Sequence, residues 1–384
     1  MAETGVQADG LVVVTTHATD PARAVADIAA RMEGVDLAGG LVFCSHTIER
    51  VALAEALVGL MPDRPLFGCT SAGEVSARGY DSESLVFIGF PASDFHLALL
   101  DFTELDRFDP GTARARVRQF AAKARQEAQD RLGEGLSHVG LFLVDGLSHR
   151  EELLTMTAQE ALGEVELIGG SSGDGMAFKE TGVFFEGCFH GDAAVIGLLS
   201  SRRAMHAFSA NHYRPGADRL VITEADAETR TVAEINAAPA AEEYLRLVGK
   251  PGAELDTAFF AAHPLMVRTG GEYHVRSIRS VNPDGSLTFY CAIDRGVVMT
   301  VGEPVDRVAG MAMMLDRIGN RVGAIDHVIA FDCVLNRVDA EHRQVARKVS
   351  DLYRKSRVVG FNTYGEQFGA AHMNQTISGL AIGR

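Results

Sequence analysis

The sequence predicts a mixed α/β fold made of repeated strand–helix units, with helices covering the sheets. Three observations predict it. An apolar strand that runs into a glycine, followed by small or hydroxyl residues and an acidic residue, occurs at Pro65–Val75, Glu166–Phe178 and Val358–Phe368. Each copy is followed, after a loop, by a second apolar strand, at Leu85–Phe90, Ala193–Ser200 and Thr376–Gly383. The segment between the second and third copies alternates apolar and polar residues, as inserted antiparallel strands do. Such recurrence indicates a repeated supersecondary unit.

The same elements precede each glycine turn, so the unit reads strand, helix, strand, helix, strand, loop, strand. Apolar residues at three- and four-residue spacing predict the helices. The first helix of each unit is expected at Pro21–Met32, Ala113–Leu132 and Val305–Ile318. Strand-and-loop segments follow at Gly40–Arg50, Val139–His149 and His327–Arg337, and second helices at Val51–Met61, Arg150–Leu162 and Glu341–Arg354.

A middle section, Ser201–Pro304, breaks the repeat. It opens with a strand-like run, Met205–Thr223, and continues through one helix, Ala240–Gly249. Alternating strands follow at Glu272–Val281, Ser286–Ile293 and Gly296–Pro304, and the Asn-Pro-Asp-Gly turn between the first two favours a hairpin. We therefore expect a mainly antiparallel sheet with one helix, and we divide the chain into an N-terminal module, 1–220, and a C-terminal module, 221–384.

Composition limits the classes of function. The 384 residues are enough for about two domains. The formal net charge of −15 argues against a nucleic-acid partner, which requires a basic face. No apolar run approaches the roughly 20 residues that span a bilayer, and the polar N-terminus MAETGVQADG resembles neither a signal nor a transit peptide. Five cysteines without close pairing predict reduced thiols and a cytoplasmic location.

A P-loop, an H-E-x-x-H motif and a G-x-G-x-x-G motif are absent, and we do not expect an enzyme. Cys69 could act as a nucleophile, although a small residue beside a tight glycine turn explains it more simply. Asp145 and Asp332 stand at matching strand ends. Each could bind a ligand, but an acidic residue there could equally cap a helix or close a turn.

The three turns supply a set of candidate ligand-binding residues. The set is Gly68, Ser71, Glu74, Gly169, Ser171, Asp174, Asn362, Tyr364, Glu366 and Gln367. Such groups suit amide, amine or carboxyl groups of a small ligand, and they suit bonding within the loops equally well. Because similar turns of repeated units converge on one side of a scaffold, we expect Asn362, Tyr364 and Glu366 near Ser71 or Ser171, in a cleft between modules.

Zinc binding and haem binding require different residues in the sequence. Without C-x-x-C spacing, structural zinc is not expected, and without C-x-x-C-H any haem must be held non-covalently. A b-type haem needs one axial side chain, usually His, and an apolar slot. His212, His263 and His372 have sequence neighbours that suit an axial haem ligand. His263 lies among Phe and Leu residues, and Pro264 favours an extended backbone there. Each could equally be a structural histidine.

The sequence resembles the FIST family, whose name refers to F-box and intracellular signal transduction. The resemblance rests on GCTSAGEV, GGSSGDG, NPDGSLTFYCAIDRG and GFNTYGEQ with the later NQT, and it extends from Val12 to Gly383. It implies an N-terminal and a C-terminal FIST module that sense a ligand in signal transduction. A chain of this length is similar to the bacterial nitric-oxide-sensing FIST proteins, which bind haem b and regulate a partner histidine kinase or cyclic-di-GMP enzyme.

Three hypotheses therefore stand. The leading one is a haem-based nitric-oxide sensor in two-component regulation, with His263, or else His212, as the axial ligand of the iron. The second is a haem-free FIST sensor of an amino acid or another small metabolite, bound at the glycine turns. The third is an enzyme that uses Cys69 or a carboxylate.

Overall fold

The computed structural model describes residues 10–269 and 271–384. The polar N-terminus, residues 1–9, lies outside the described residues. The predicted fold class is confirmed: strand-and-helix units recur three times, and a mainly antiparallel sheet is inserted between the second and third. Among the described residues, no helix combines the length and the apolar character needed to cross a bilayer.

The first two units follow one another along the chain. The first comprises β1 (Val12–Thr16), α1 (Pro21–Met32), β2 (Leu37–Ser45), α2 (Arg50–Val58), β3 (Leu66–Ser71), β4 (Glu74–Ser76), β5 (Gly79–Asp81) and β6 (Leu85–Pro91). The second comprises β7 (Phe95–Phe102), α3 (Pro110–Leu132), β8 (Ser137–Val144), α4 (Glu151–Leu162), β9 (Glu166–Ser171), β10 (Val183–Phe185), β11 (Cys188–His190) and β12 (Ala194–Ser201).

The third unit is interrupted by the insert. It starts with β13 (Met205–Asn211). The insert then runs through β14 (Tyr213–Asp226), β15 (Thr231–Ile235), β16 (Ala238–Pro239), α5 (Ala240–Val248), α6 (Thr257–Ala262), β17 (Leu265–Thr269), β18 (Glu272–Arg276), β19 (Ile278–Val281), β20 (Leu287–Phe289) and β21 (Val298–Pro304). The unit resumes with α7 (Arg307–Val322), β22 (Ile325–Cys333), α8 (Val334–His342), α9 (Ala346–Lys355), β23 (Val358–Thr363), β24 (Glu366–Phe368), β25 (Ala371–Met373) and β26 (Thr376–Gly383).

The first helix of each unit begins in the same way. Asp20, Asp109 and Asp306 are the N-cap residues of α1, α3 and α7, and each side chain accepts a hydrogen bond from a backbone N–H of the first turn. This bond satisfies a donor that the helix itself leaves unpaired. The repeat therefore extends to the capping chemistry.

The three scaffold sheets have the same strand order. In each, the first strand of a unit pairs with its last, the last pairs with the second, and the second runs parallel to the third. The fifth and sixth positions are filled by a hairpin from a neighbouring unit: β10–β11 beside β3, β24–β25 beside β9, and β4–β5 beside β23. These hairpins lie in the segments predicted as loops. Their exchange links the three units in a ring.

The units share one central core. Phe43, Phe331 and Phe361 meet there, with the ring centroids of Phe43 and Phe361 separated by 4.6 Å. Helices cover the opposite faces of the sheets and form separate apolar clusters with them. The insert has its own core around Tyr244 and Phe260.

Three local predictions are corrected. The run Met205–Thr223 is two strands, because β13 pairs with scaffold strand β26 and β14 pairs with insert strand β21. The predicted helix Glu341–Arg354 is divided between α8 and α9, because Gln344 adopts a left-handed φ of 59°. The insert contains a second helix, α6, and His263 caps its C-terminus with φ −135° and ψ 57° instead of lying in an extended strand.

Candidate functional site

The three glycine turns occupy equivalent positions in their sheets. A Cβ atom at Gly68 or Gly169 would lie 1.8 Å from the carbonyl oxygen of Val42 or Phe142, and one at Gly360 would lie 1.9 Å from that of Ala330. In each case the clashing carbonyl belongs to the parallel neighbouring strand. Glycine is required because the two backbones approach too closely for any side chain.

The turns converge at the carboxyl ends of the parallel strands. The N–H of Ala72 donates to the carbonyl of Asn362 at 2.9 Å, and the N–H of Ser171 donates to that of Gly365 at 2.8 Å. The N–H of Gly173 donates to the carbonyl of Thr70 at 3.1 Å, which joins the first turn to the second. The structure thus brings Asn362 and Tyr364 next to Ser71 and Ser171, in a buried junction.

Glu74 and Glu366 play matching parts in their turns. Glu74 accepts hydrogen bonds from the Ser71 hydroxyl and from the N–H and hydroxyl of Ser84, and Glu366 accepts them from the Thr363 hydroxyl and from the N–H and hydroxyl of Thr376. Each carboxyl joins the end of one strand to the start of the last strand. Burial raises the pKa of Glu74 and raises that of Glu366 to about 8.

Asp174, at the corresponding point of the second turn, bonds differently. Its carboxylate accepts from the N–H groups of Phe178, Lys179 and Glu180, at 2.8 to 2.9 Å, and from the Tyr364 hydroxyl. Gln367 donates from Nε2 to the Ser171 hydroxyl at 2.9 Å. These predicted ligand-binding side chains use their polar groups in hydrogen bonds within the fold, mostly to neighbouring residues outside the predicted set.

The other residues that the sequence offered as ligand-binding or catalytic candidates are buried, and the two aspartates among them are already hydrogen-bonded. Asp145 accepts from the N–H groups of Leu147 and Asp192 and from the Thr181 hydroxyl. Asp332 accepts from the hydroxyls of Tyr80 and Tyr353, both at 2.9 Å. Cys69 is fully buried, and burial raises its thiol pKa well above the usual value, so little reactive thiolate is available there.

An aromatic group borders the converged turns on the side of the insert. Phe178 stacks on Tyr364 with ring centroids 4.4 Å apart, and its ring lies 5.6 Å from that of Tyr290 in the insert. The guanidinium carbon of Arg279 lies 5.5 Å from the centroid of Phe178. These contacts cross from the scaffold to the inserted sheet.

The insert is fastened to the scaffold by buried polar groups, and we call this boundary the seam. Its main ion cluster joins Arg230 of the insert to Glu151 and Glu152 at the start of α4, with Nη2–Oε2 distances of 3.0 and 2.8 Å. Burial raises the pKa of Glu151 to about 7 although Arg230 opposes the shift. Arg276 and Ser277 add bonds to the His372 carbonyl and to Gln375.

Several buried polar atoms along the seam have no partner among the described residues. They are the side-chain oxygens of Asn336, Gln367 and Asn374 and the Nε and Nη1 atoms of Arg307. An unsatisfied buried polar atom costs roughly 1–3 kcal/mol, so such atoms are uncommon in native proteins. The other three such atoms belong to His96, Arg114 and His190, so Arg307, Asn336, Gln367 and Asn374 carry five of the eight and make the seam a candidate ligand site.

A cavity of about 150 Å³ lies at the end of the seam where the chain enters and leaves the insert. We call it the junction cavity. Its polar lining consists of His212, Asp306, Arg307, Asp339 and Arg343, and its apolar lining of Pro304, Val305, Val308 and Val345. Nη2 of Arg307 donates to Oδ2 of Asp339 at 2.7 Å, and Nε of Arg343 donates to Oδ1 at 2.7 Å.

The two histidines proposed as haem ligands lie on either side of Arg343 and Asp339. His212 is 4% exposed, and burial together with Arg307 lowers its pKa well below 6.5, so its ring is neutral. His263 is half-buried, and its Nδ1 lies 3.0 Å from the Phe259 carbonyl. Burial lowers its pKa as well.

Neither histidine fits haem in this conformation. The junction cavity beside His212 is smaller than the roughly 300 Å³ at which pockets for small molecules begin, and charged groups line it. The cavities of about 760 and 770 Å³ lie elsewhere, against α1 and α2, and neither is lined by His212 or His263. No cluster of three or more potential metal-binding side chains is found in residues 10–269 and 271–384.

Family comparison agrees with the architecture. The FIST N domain matches residues 38–238 and the FIST C domain matches residues 240–369. The chain belongs to the FIST family. Its domains point to a small-molecule sensor in signalling, as sensory modules and not catalytic ones. A comparison with curated proteins finds no match.

Sequence reasoning missed Arg307, Arg230 and the seam. Arg307 follows the N-cap of a helix, where a basic residue reads as exposed, yet it is 5% exposed. Arg230 ends the mainly polar run Glu224–Arg230, to which we assigned no element, and it is also 5% exposed. No local signal shows either burial, because elements distant in sequence provide it.

Proposed function

We propose that this FIST protein is a ligand-responsive sensor whose small-molecule ligand binds along the seam between the repeated scaffold and the inserted sheet. One observation carries the proposal: five of the eight partnerless buried polar atoms in the described residues belong to Arg307, Asn336, Gln367 and Asn374. Arg307 follows the return from the insert, and Gln367 contacts His372, whose carbonyl bonds to Arg276 of the insert. A ligand with complementary polar groups would satisfy them and recover part of the cost of their burial.

The insert is suited to be the moving part. It has its own apolar core, so it can shift as a unit without unpacking. It connects to the scaffold covalently at two adjacent points, where Tyr213 of β14 pairs with Pro304 of β21. Its remaining attachments include the Arg230 ion cluster and the Phe178–Tyr290 contact. A ligand that binds one arrangement of the insert more tightly shifts the population towards it.

The output of such a shift is exerted on another protein. We propose that the partner is a histidine kinase or a cyclic-di-GMP enzyme, regulated in trans. The sensory role of the FIST domains supports this part of the proposal. Activity of a candidate partner, measured with and without the full chain and with and without ligand, tests it.

Hydrogen exchange on the full chain tests the sensor itself. The chain is screened against small carboxylates, amino acids, and haem with and without nitric oxide, and exchange is followed by mass spectrometry. We expect a true ligand to change protection in seam segments 276–278 and 289–292, and to leave α1 unchanged as an internal control. A ligand that binds saturably without changing exchange at the seam would contradict the proposal.

Haem-based sensing of nitric oxide is the second candidate, and one observation favours it. The bond between His263 Nδ1 and the Phe259 carbonyl leaves Nε2 free, which is the arrangement of many metal-binding histidines. The small volume of the junction cavity beside His212 argues against it, and so does the absence of His263 from the lining of the cavities described. Titration of the protein with haem tests this candidate. A Soret band that is present in the wild type and disappears in His263→Ala, with the fold intact, supports haem binding. The absence of saturable haem binding refutes the haem-sensor candidate.

A further inference from the structure

Arg307 lines the junction cavity, and its side chain has hydrogen-bond donors that the described chain leaves unused. Arg307 is 5% exposed, and its Nη2 is bound to Asp339 while its Nε and Nη1 have no partner. The nearby carboxylates accept from neither atom in this arrangement. Both oxygens of Asp339 are occupied by arginines, and Asp306 lies at the exposed end of α7, where its Oδ1 accepts from the N–H of Ala309.

The rest of the lining narrows the class of ligand. The side chains of Val305, Val308 and Val345, with Pro304, make one part of the wall apolar. The volume of about 150 Å³ corresponds to roughly five water molecules at about 30 Å³ each. The cavity thus holds a ligand with a small acceptor group and a short apolar body.

We propose that the junction cavity binds a short aliphatic carboxylate, whose oxygens accept hydrogen bonds from Arg307. An amino acid is less suitable, because its ammonium group would be repelled by Arg307 and Arg343 and would compete with them for the oxygens of Asp339, the buried carboxylate of the cavity. Inorganic phosphate is less suitable as well, because the valines give it no donors. His212, neutral and without a side-chain hydrogen bond to the described residues, can contribute one ring nitrogen.

The position of the cavity gives binding a structural consequence. His212 lies where β13 of the scaffold gives way to β14 of the insert, and Pro304 to Arg307 lie where β21 returns to α7. Arg343 also donates to the carbonyl of Ala262 in the insert at 3.3 Å. A ligand here contacts both crossings of the chain, so this inference names the ligand chemistry of the proposed sensor and rests on that function for its role.

Calorimetric titration of the full chain tests the binding. The probes are acetate, propionate and butyrate, with inorganic phosphate and glycine for comparison. We expect saturable single-site binding of propionate or butyrate, and weaker binding of phosphate and glycine. Because a hydrogen bond to a charged group is lost, Arg307→Gln should weaken binding at least about tenfold. Arg317→Gln, an exposed arginine on the same helix, is the matched control and should bind like the wild type.

A second variant keeps the test decisive if Arg307→Gln does not fold. Val345→Phe fills the cavity from its apolar side and leaves the arginines in place, so it should abolish carboxylate binding while circular dichroism stays native. Unchanged binding in either folded variant, tighter binding of phosphate or glycine, or no saturable binding of any carboxylate would overturn the assignment. Carboxylate binding that depends on Arg307 without a change in seam exchange would leave the site standing and refute the sensor. A ligand-dependent change in seam exchange, together with carboxylate binding that does not depend on Arg307, would refute only the site.

Discussion

Glu366 should make the stability of this protein depend on pH in the neutral range. Its carboxyl group is fully buried, and burial raises its pKa from 4.5 to about 8. Between those two values the folded state holds a proton that the unfolded state has released. Stability from this group is therefore complete below pH 4.5 and is lost as the pH rises towards 8.

The size of the effect follows from the shift. One proton held only by the folded state changes the free energy of unfolding by about 1.4 kcal/mol per pH unit. Between pH 5 and pH 8, Glu366 should therefore account for a loss of about 4 kcal/mol. Glu366→Gln removes the titrating proton and keeps the size and the hydrogen-bonding capacity needed opposite Thr363 and Thr376.

Urea unfolding of wild type and Glu366→Gln at several pH values measures this directly. The variant should lose less stability than the wild type as the pH rises, and the difference should grow by about 1.4 kcal/mol per unit. A residual slope of the same sign is expected from Glu74, whose pKa burial also raises. Glu228→Gln, at an exposed turn, should behave like the wild type. Parallel curves for wild type and Glu366→Gln would refute the reasoning.

Three further outcomes are expected. Gly169→Ala should lower the free energy of unfolding by roughly 3 kcal/mol or more, because its Cβ would lie 1.8 Å from a carbonyl oxygen, whereas Gly310→Ala, with open space in helix α7, should raise it by up to about 1 kcal/mol; denaturant unfolding compares the two. Arg230→Met should cost about 3–5 kcal/mol by leaving the buried Glu151 and the partly exposed Glu152 without their ion pair, and hydrogen exchange should rise first in the insert. A thiol reagent should modify Cys188 in the native protein and leave Cys69 unmodified until it unfolds, as peptide mapping would show, because only the former is exposed among the described cysteines.

The repeat was readable from the sequence because its determinants are local. Gly68, Gly169 and Gly360 each end a strand that must approach its parallel neighbour closely, and that demand appears as the same residue at the same place. Asp20 and Asp109 are each followed by proline, and this pair of residues is a local signal for the start of a helix. The fold class and the insert followed from these signals together with apolar periodicity.

The exchanged hairpins were not readable. Segments such as β4 and β10 are three residues long, and their partners belong to other units. A short strand is stabilised by its neighbour and not by its own composition, so the sequence shows only a loop. For the same reason, the change of sheet at His212 is hidden within a continuous alternating pattern.

The candidate site likewise has some features that the sequence shows and others that only the tertiary structure shows. The sequence by itself determined that the turns would carry glycine, hydroxyl and acidic residues, and that repeated turns would meet. Only the tertiary structure decided that these residues are held in hydrogen bonds within the fold, and that unpaired donors are left at Arg307. The physical reason is that burial and hydrogen-bond pairing belong to the packed chain. A side chain becomes a binding group or a structural one according to which distant elements surround it.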